Sequence, residues 1–270
     1  MQTFNLNRIM EFKNTQYFGG KSGSGTYQKI INQIPAHRIY VELFGGMLGI
    51  LRHKRTAWAN YVVETDERLI RFYVEKFGFD HVTDFTHILR RIEMGAKGNF
   101  CFHGSTLELF DDSRFNRLLD REDAFIYADP PYPLTARKDS RPQYRYELSD
   151  DDHQELIRSL VNFQYAKVAI STYPNELYDD MIWGKGWADS WRRIEFESQT
   201  RNGRAIEQLW MNYPETDQLH DFQYIGEDYR ERERITRMQR RWRRKFKDLP
   251  VIEQRAMLQN LKTMLDPTGT

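Results

Sequence analysis

The chain has a single cysteine, Cys101, which excludes an internal disulfide framework and any metal site built on paired cysteines. Its seven histidines are scattered, without His-x-His or His-Glu-x-x-His spacing, so no metal is expected. No apolar run approaches the length of a membrane span and no secretory signal pattern is present, so a cytoplasmic protein is expected. Overall charge of one sign is also missing: the formal net charge is +1. No internal repeat or low-complexity linker is found.

At 270 residues, 40% of them apolar and 14% aromatic, the chain can bury a substantial core as one large domain with an appendage. Its charge is segregated. Ten Lys/Arg against Glu231 and Glu233 give residues 230–247 a charge of +8, leaving −7 for the rest. That asymmetry points to a polyanionic partner.

Regular elements alternate along the chain. A short helix over Thr26–Ile34 leads to a strand at Arg38–Phe44, and Gly45-Gly46-Met47-Leu48-Gly49 reads as a glycine turn opening a helix. Strand, glycine turn and helix start make the first unit of a nucleotide-binding α/β fold. The spacing is not Gly-x-Gly-x-x-Gly, so a dinucleotide is not indicated. Gly19-Gly20-Lys21 likewise lacks P-loop spacing. A second strand, Ala57–Val63, ends in Glu64-Thr65-Asp66. Glu64 lies 18 positions beyond Gly46 and suits a ribose diol, while Asp66 suits the cap of a helix over Glu67–Phe77. Asp80–Glu93 reads as a helix and Asn99–His103 as a third strand. Further strands are expected at Ala124–Tyr127 and Lys167–Thr172, with a helix from Ser149 to Asn162 between them. A final pair, Trp191–Glu197 and Ala205–Asn212, forms a hairpin. The expected fold is a Rossmann-like α/β domain, mostly parallel, with a terminal antiparallel hairpin strand. Beyond about Gly226 a basic helix carries Ile235, Met238, Trp242 and Phe246 at helical spacing, a stripe expected to pack on the body. Its arginines suit either a solvated face or nucleic acid. Val251–Leu265 reads as a second helix.

Chemistry concentrates at Asp129-Pro130-Pro131-Tyr132, directly after the fourth strand. The prolines stop the sheet and keep the preceding residues extended. That frees a carboxylate, a backbone carbonyl and a flat aromatic face at a strand's carboxyl end. The set suits a planar, amine-bearing ring such as adenine.

In this order, the motifs resemble those of Dam-type (D12 class) adenine-N6 DNA methyltransferases, particularly compact phage and prophage members. The similarity runs from Tyr17 to Tyr213. Tyr17-Phe18-Gly19-Gly20-Lys21 resembles the aromatic-x-Gly-Gly-Lys motif. Val41-Glu42-Leu43-Phe44-Gly45-Gly46 resembles the first cofactor motif and Glu64-Thr65-Asp66 the second. Asp129-Pro130-Pro131-Tyr132 matches the catalytic motif. Segments 171–178 and 209–213 are also similar.

The resemblance implies a Rossmann-like methyltransferase fold at 17–225, between an N-terminal extension at 1–16 and a basic helical appendage at 226–270. It implies S-adenosyl-L-methionine as cofactor and double-stranded DNA as partner, in a bacterial or phage-infected cell, with a role such as restriction–modification. By resemblance Tyr17, Lys21, Glu42, Phe44, Gly45, Gly46, Glu64, Thr65, Ser105 and Asp129 form the cofactor site. Asp129, Pro130, Pro131 and Tyr132 are catalytic, acting on an adenine flipped from the duplex. The ribose acid is Glu64 where the family usually has Asp, and Ser105 stands where an acid is often found. A long target-recognition insert is missing, only Glu67–Asn99 being available for one. The DNA face is therefore expected on Arg137, Lys138, Arg141, Tyr144 and Arg145, on Arg201 and Arg204, and on Arg240, Arg241, Arg243 and Arg244. Cytosine-N4 or RNA-adenine methylation, or a non-catalytic DNA-binding protein of this fold, are the alternatives.

Overall fold

The computed structural model describes residues 20–21, 25–137, 141–184, 190–200 and 203–265. Tyr17, Lys138 and Arg201 lie outside them. The chain divides into two units, Met1–Asp221 and Phe222–Thr270.

The first unit is built on one eight-stranded sheet. Its strands are β1 (Ile39–Leu43), β2 (Ala59–Glu64), β3 (Asp80–Val82), β4 (Gly98–His103), β5 (Ala124–Ala128), β6 (Lys167–Thr172), β7 (Arg192–Thr200) and β8 (Gly203–Met211), in the order β3-β4-β2-β1-β5-β6-β8-β7. Pairing is parallel from β3 to β6, and β8 runs antiparallel to both β6 and β7. The expected mostly parallel, Rossmann-like architecture is what forms. The chain winds outward from β1 on one side, then returns to β5 on the other. This makes β1/β5 the topological switch point, where a crevice opens at the carboxyl ends of the strands.

The helices are α1 (Thr26–Ile31), α2 (Glu67–Phe77), α3 (Phe85–Glu93), α4 (Thr106–Phe110), α5 (Ser113–Leu119), α6 (Asp150–Val161) and α7 (Glu176–Asp179), followed by a turn of π-helix at Asp180–Gly184. Strand periodicity sorts the side chains into two layers. Ile39, Val41, Leu43, Tyr61, Val63, Ile126 and Val168 join residues of α3 to α7 in one apolar cluster. The alternate positions Tyr40, Glu42, Asn60, Glu64 and Tyr127 are buried as well, and they are polar. Central strands covered on both faces explain the near-continuous apolar runs at β1 and β5. The polar positions mark where that rule gives way to function.

Two expected elements differ. No helix follows β1. Phe44 (φ 62°), Gly46 (φ 52°) and Leu48 (φ 54°) adopt left-handed conformations, so the helix cannot start there and residues 45–54 form successive turns. Asp80–Val82 is a strand rather than the start of a helix. Asp84 caps a shorter α3 by accepting from Thr86 N–H. Residues 67–99 thus supply α2, β3 and α3 of the wound sheet, and do not form an insert.

In the second unit, α8 (Tyr229–Lys247) is capped by Asp228 and followed by α9 (Val251–Leu265). No residue of either helix is buried, and Trp242 is 55% exposed. Of the apolar stripe, Ile235 and Phe246 are half-buried, while Met238 and Trp242 are exposed.

Candidate active site at the switch point

A cleft of about 210 Å³ opens where the topology places it, at the ends of β1, β2 and β5. Lys21, Glu42, Phe44, Gly45, Gly46, Glu64, Thr65 and Asp129 all line it. Ser105 does not; it precedes α4 without making a side-chain cap.

Local geometry makes the floor of the cleft close and rigid. Glu64, at the tip of β2, accepts Gly46 N–H and Asp66 N–H, each at 2.8 Å, one on each carboxylate oxygen. It therefore ties the turn after β1 to the start of α2 and keeps lone pairs for a further donor. Asp66 caps α2 by accepting Arg68 N–H at 3.0 Å. A Cβ at Gly45 would stand 2.5 Å from Val62 Cγ1 and 2.8 Å from Tyr73 Oη, so only glycine fits. Tyr73 in turn donates to Gly46 O at 2.5 Å. On the next strand, Glu42 accepts from Tyr40 Oη at 2.9 Å and Leu51 N–H at 3.1 Å, and burial pushes its carboxyl up to about 8.

At the other wall stands Asp129, at the end of β5. Burial raises its carboxyl to about 6, and the adjacent Lys21 ammonium limits the rise. Lys21 Nζ donates to Asp129 Oδ1 at 2.7 Å and to Tyr132 Oη at 2.6 Å. Burial disfavours the charge on Lys21, but Asp129 and then Glu207 outweigh it and hold the ammonium above its ordinary range. The four catalytic-motif residues are not equally placed. Asp129 and Pro131 line the cleft, whereas Tyr132 is 2% exposed behind it. Its ring, expected to offer an open flat face, is covered by Lys21 Nζ at 4.8 Å and by the edge of Tyr173 at 4.4 Å.

The loop after Tyr132 holds residues that sequence reasoning assigned to nucleic acid, and they divide. Arg137 is not a surface residue: its side chain is 5% exposed. It forms a two-pronged pair with Glu147 at 2.9 and 2.6 Å and also donates to the Tyr132 carbonyl. Nothing in the sequence separated it from its neighbours, since the pairing depends on Glu147 folding back over ten residues. Tyr144 and Arg145 line the cleft, with Arg145 at 3.6 Å from Asp66 Oδ1. Arg141 is exposed, and Arg204 is exposed while paired with Glu197 at 3.0 Å. Arg240, Arg241, Arg243 and Arg244 are all exposed on α8. Gln143 and Tyr146, of the loop expected to face DNA, also line the cleft, whereas sequence reasoning missed Arg68 there and Glu207 beside Lys21. The available signal for Glu207 was a charged residue in an apolar strand.

No family model and no curated protein matches the chain. Among solved structures, a methyltransferase of Pyrococcus furiosus aligns at 12% identity and TM-score 0.38, over 70% of this chain and 84% of that one. An rRNA methylase of Streptococcus thermophilus aligns at 9% and 0.38, over 69% and 94%. A precorrin 8w decarboxylase of Methanobacterium thermoautotrophicum aligns at 8% and 0.37, over 67% and 84%. At these values they carry no weight for substrate, cofactor or residue roles. Those rest on the geometry.

Among the described residues no group of His, Cys, Asp and Glu is arranged to hold a metal ion, and no helix is long and apolar enough to cross a membrane.

Proposed function

We propose that this chain is an S-adenosylmethionine-dependent methyltransferase acting on the exocyclic amine of a nucleobase, adenine N6 in duplex DNA. The observation that carries the reading is the Asp129 carboxylate, 17% exposed at the switch-point end of β5, facing a cleft whose other wall is the glycine turn anchored by Glu64.

The residues fit the cofactor. Gly45 and Gly46 line the cleft with backbone alone, and Gly45 lets that turn pack down on Val62 and Tyr73. Glu64 has acceptor capacity for ribose hydroxyls, while Glu42 and Phe44 face the same space. When bound there, S-adenosylmethionine supplies an electrophilic methyl group on a cationic sulfur. This chain's part is to hold and polarise the nucleophile. Asp129 and the Pro130 carbonyl accept the amine N–H groups, which favours a tetrahedral nitrogen with its lone pair aimed at the methyl carbon. Asp129 would then receive the proton that the amine gives up. Positioning and fixed electrostatics supply the rate. Extruding the base costs a few kcal/mol.

Duplex DNA as partner is supported by the +8 segment 230–247, with Arg240, Arg241, Arg243 and Arg244 exposed on α8. The test is transfer of labelled methyl groups to unmethylated duplex DNA by wild type and Asp129→Ala, followed by nucleoside analysis. N6-methyladenine from wild type alone is expected. N4-methylcytosine, or product only on RNA, would replace the substrate assignment. Cofactor binding without any product would favour a binding protein of this fold.

A further inference from the structure

Lys21 stands where an incoming amine must be held. Its Nζ donates to Asp129 Oδ1 at 2.7 Å and to Tyr132 Oη at 2.6 Å, and it lies 4.8 Å over the Tyr132 ring. A target amine that takes the same Asp129 oxygen displaces an ammonium from it. A buried ammonium stripped of its carboxylate is strongly disfavoured, so the displacement needs a second acceptor close by.

One is in place. Glu207, on β8, is 5% exposed, and its Oε2 lies 4.0 Å from Lys21 Nζ. Among the described residues this is the only buried carboxylate oxygen with no hydrogen-bond partner. A buried carboxylate with an unused oxygen is costly unless something uses it. The exchange is also mechanically simple. Lys21's backbone is pressed against Gly49, where a Cβ would come within 2.9 Å of Lys21 Cβ and 3.0 Å of its nitrogen. Only the flexible four-carbon stem has to move.

We propose that Glu207 is a positioning residue that receives the Lys21 ammonium when the target amine takes Lys21's place on Asp129. Lys21 is thus a side chain with two seats. No net charge is moved into or out of the site, because one ammonium serves two carboxylates in turn. The inference rests on the methyltransferase reading above.

The test compares full-length wild type, Glu207→Gln and Glu207→Asp. Cofactor affinity, melting temperature, and KM and kcat on unmethylated plasmid DNA are measured. For Glu207→Gln, cofactor affinity and KM for the cofactor should stay within about twofold. kcat/KM for DNA should fall about tenfold or more, mainly through KM for DNA, the size of one missing charge-assisted hydrogen bond. Glu207→Asp keeps the charge and should recover most of that activity. Equal DNA kinetics in Glu207→Gln and wild type overturns the inference and leaves the methyltransferase reading standing. So does a decline shared equally by cofactor binding and melting temperature, or a Glu207→Asp variant no better than Glu207→Gln. Absence of any methyl transfer by wild type overturns both.

Discussion

Arg137 and Glu147 hold the loop beside the candidate active site in one shape. Glu147 accepts both guanidinium prongs and the backbone N–H groups of Gln143 and Tyr144, at 2.6 and 2.9 Å. Hydrogen bonding to Arg137 and to that backbone outweighs burial, which opposes it, and holds the Glu147 carboxyl below its ordinary range. Since Arg137 also donates to the Tyr132 carbonyl, this pair links the turn after β5 to the cleft wall at Tyr144 and Arg145.

Breaking that pair should act on the fold before it acts on nucleic acid. Glu147→Ala leaves the buried Arg137 charge uncompensated, and a destabilisation of about 3 kcal/mol is expected in urea unfolding. Cofactor affinity should fall with it. If Glu147→Ala unfolds at the wild-type midpoint, the clamp has no structural weight.

The turn after β1 tolerates no side chain at Gly45. Gly45→Ala drives a methyl into Val62 Cγ1 and Tyr73 Oη, atoms fixed by the strand and by the bond from Tyr73 to Gly46 O. Strain of about 1–3 kcal/mol is expected. Because the displaced backbone forms the cleft floor, cofactor affinity should drop about tenfold, equivalent to about 1.4 kcal/mol. Titration calorimetry with S-adenosylmethionine gives the result directly. An unchanged affinity would remove the turn from the binding site.

The pH dependence follows from Asp129. Burial raises its carboxyl to about 6, and only the ionised form offers both oxygens as acceptors. Below that value the protonated form dominates, so kcat/KM should rise with pH through about 6 and then level. Lys21 counteracts the burial, so Lys21→Met should move the rising limb to higher pH. A limb left in place would show that another group controls it.

On α8, replacing Arg240, Arg241, Arg243 and Arg244 with alanine should leave the helix intact, since no residue there is buried and alanine is the strongest helix former. DNA binding should weaken, and the slope of log K against log salt should flatten by about 0.9 for each phosphate the variant no longer neutralises. Equal slopes in the two proteins would show that α8 does not touch the backbone of DNA.

Local pattern was enough for the sheet strands flanking the site and for the positions of Glu42, Glu64 and Asp129. Each sits at the end of a short apolar run closed by glycine, an acid or proline, and period-2 alternation carries such a residue to the strand tip. Asp66 was even distinguishable from Glu64 as the helix cap, because a cap must lie directly before its helix. The run after Leu43 was misleading because glycines there signal either a helix start or a left-handed turn. Only packing against Val62, Tyr73 and Glu64, from other elements, selects the turn.

What sequence alone determined about this protein is its α/β alternation, the order of its motifs and the place of Glu42, Glu64 and Asp129 at the switch point, all consequences of local periodicity. Tertiary structure decided the partners. Arg137 became a buried clamp while Arg141 stayed exposed, and Lys21 came to lie between Asp129 and Glu207, 108 and 186 positions away. A charged side chain's role depends on which opposite charge the fold brings within a few ångströms, and that distance is set by sheet order rather than by spacing along the chain.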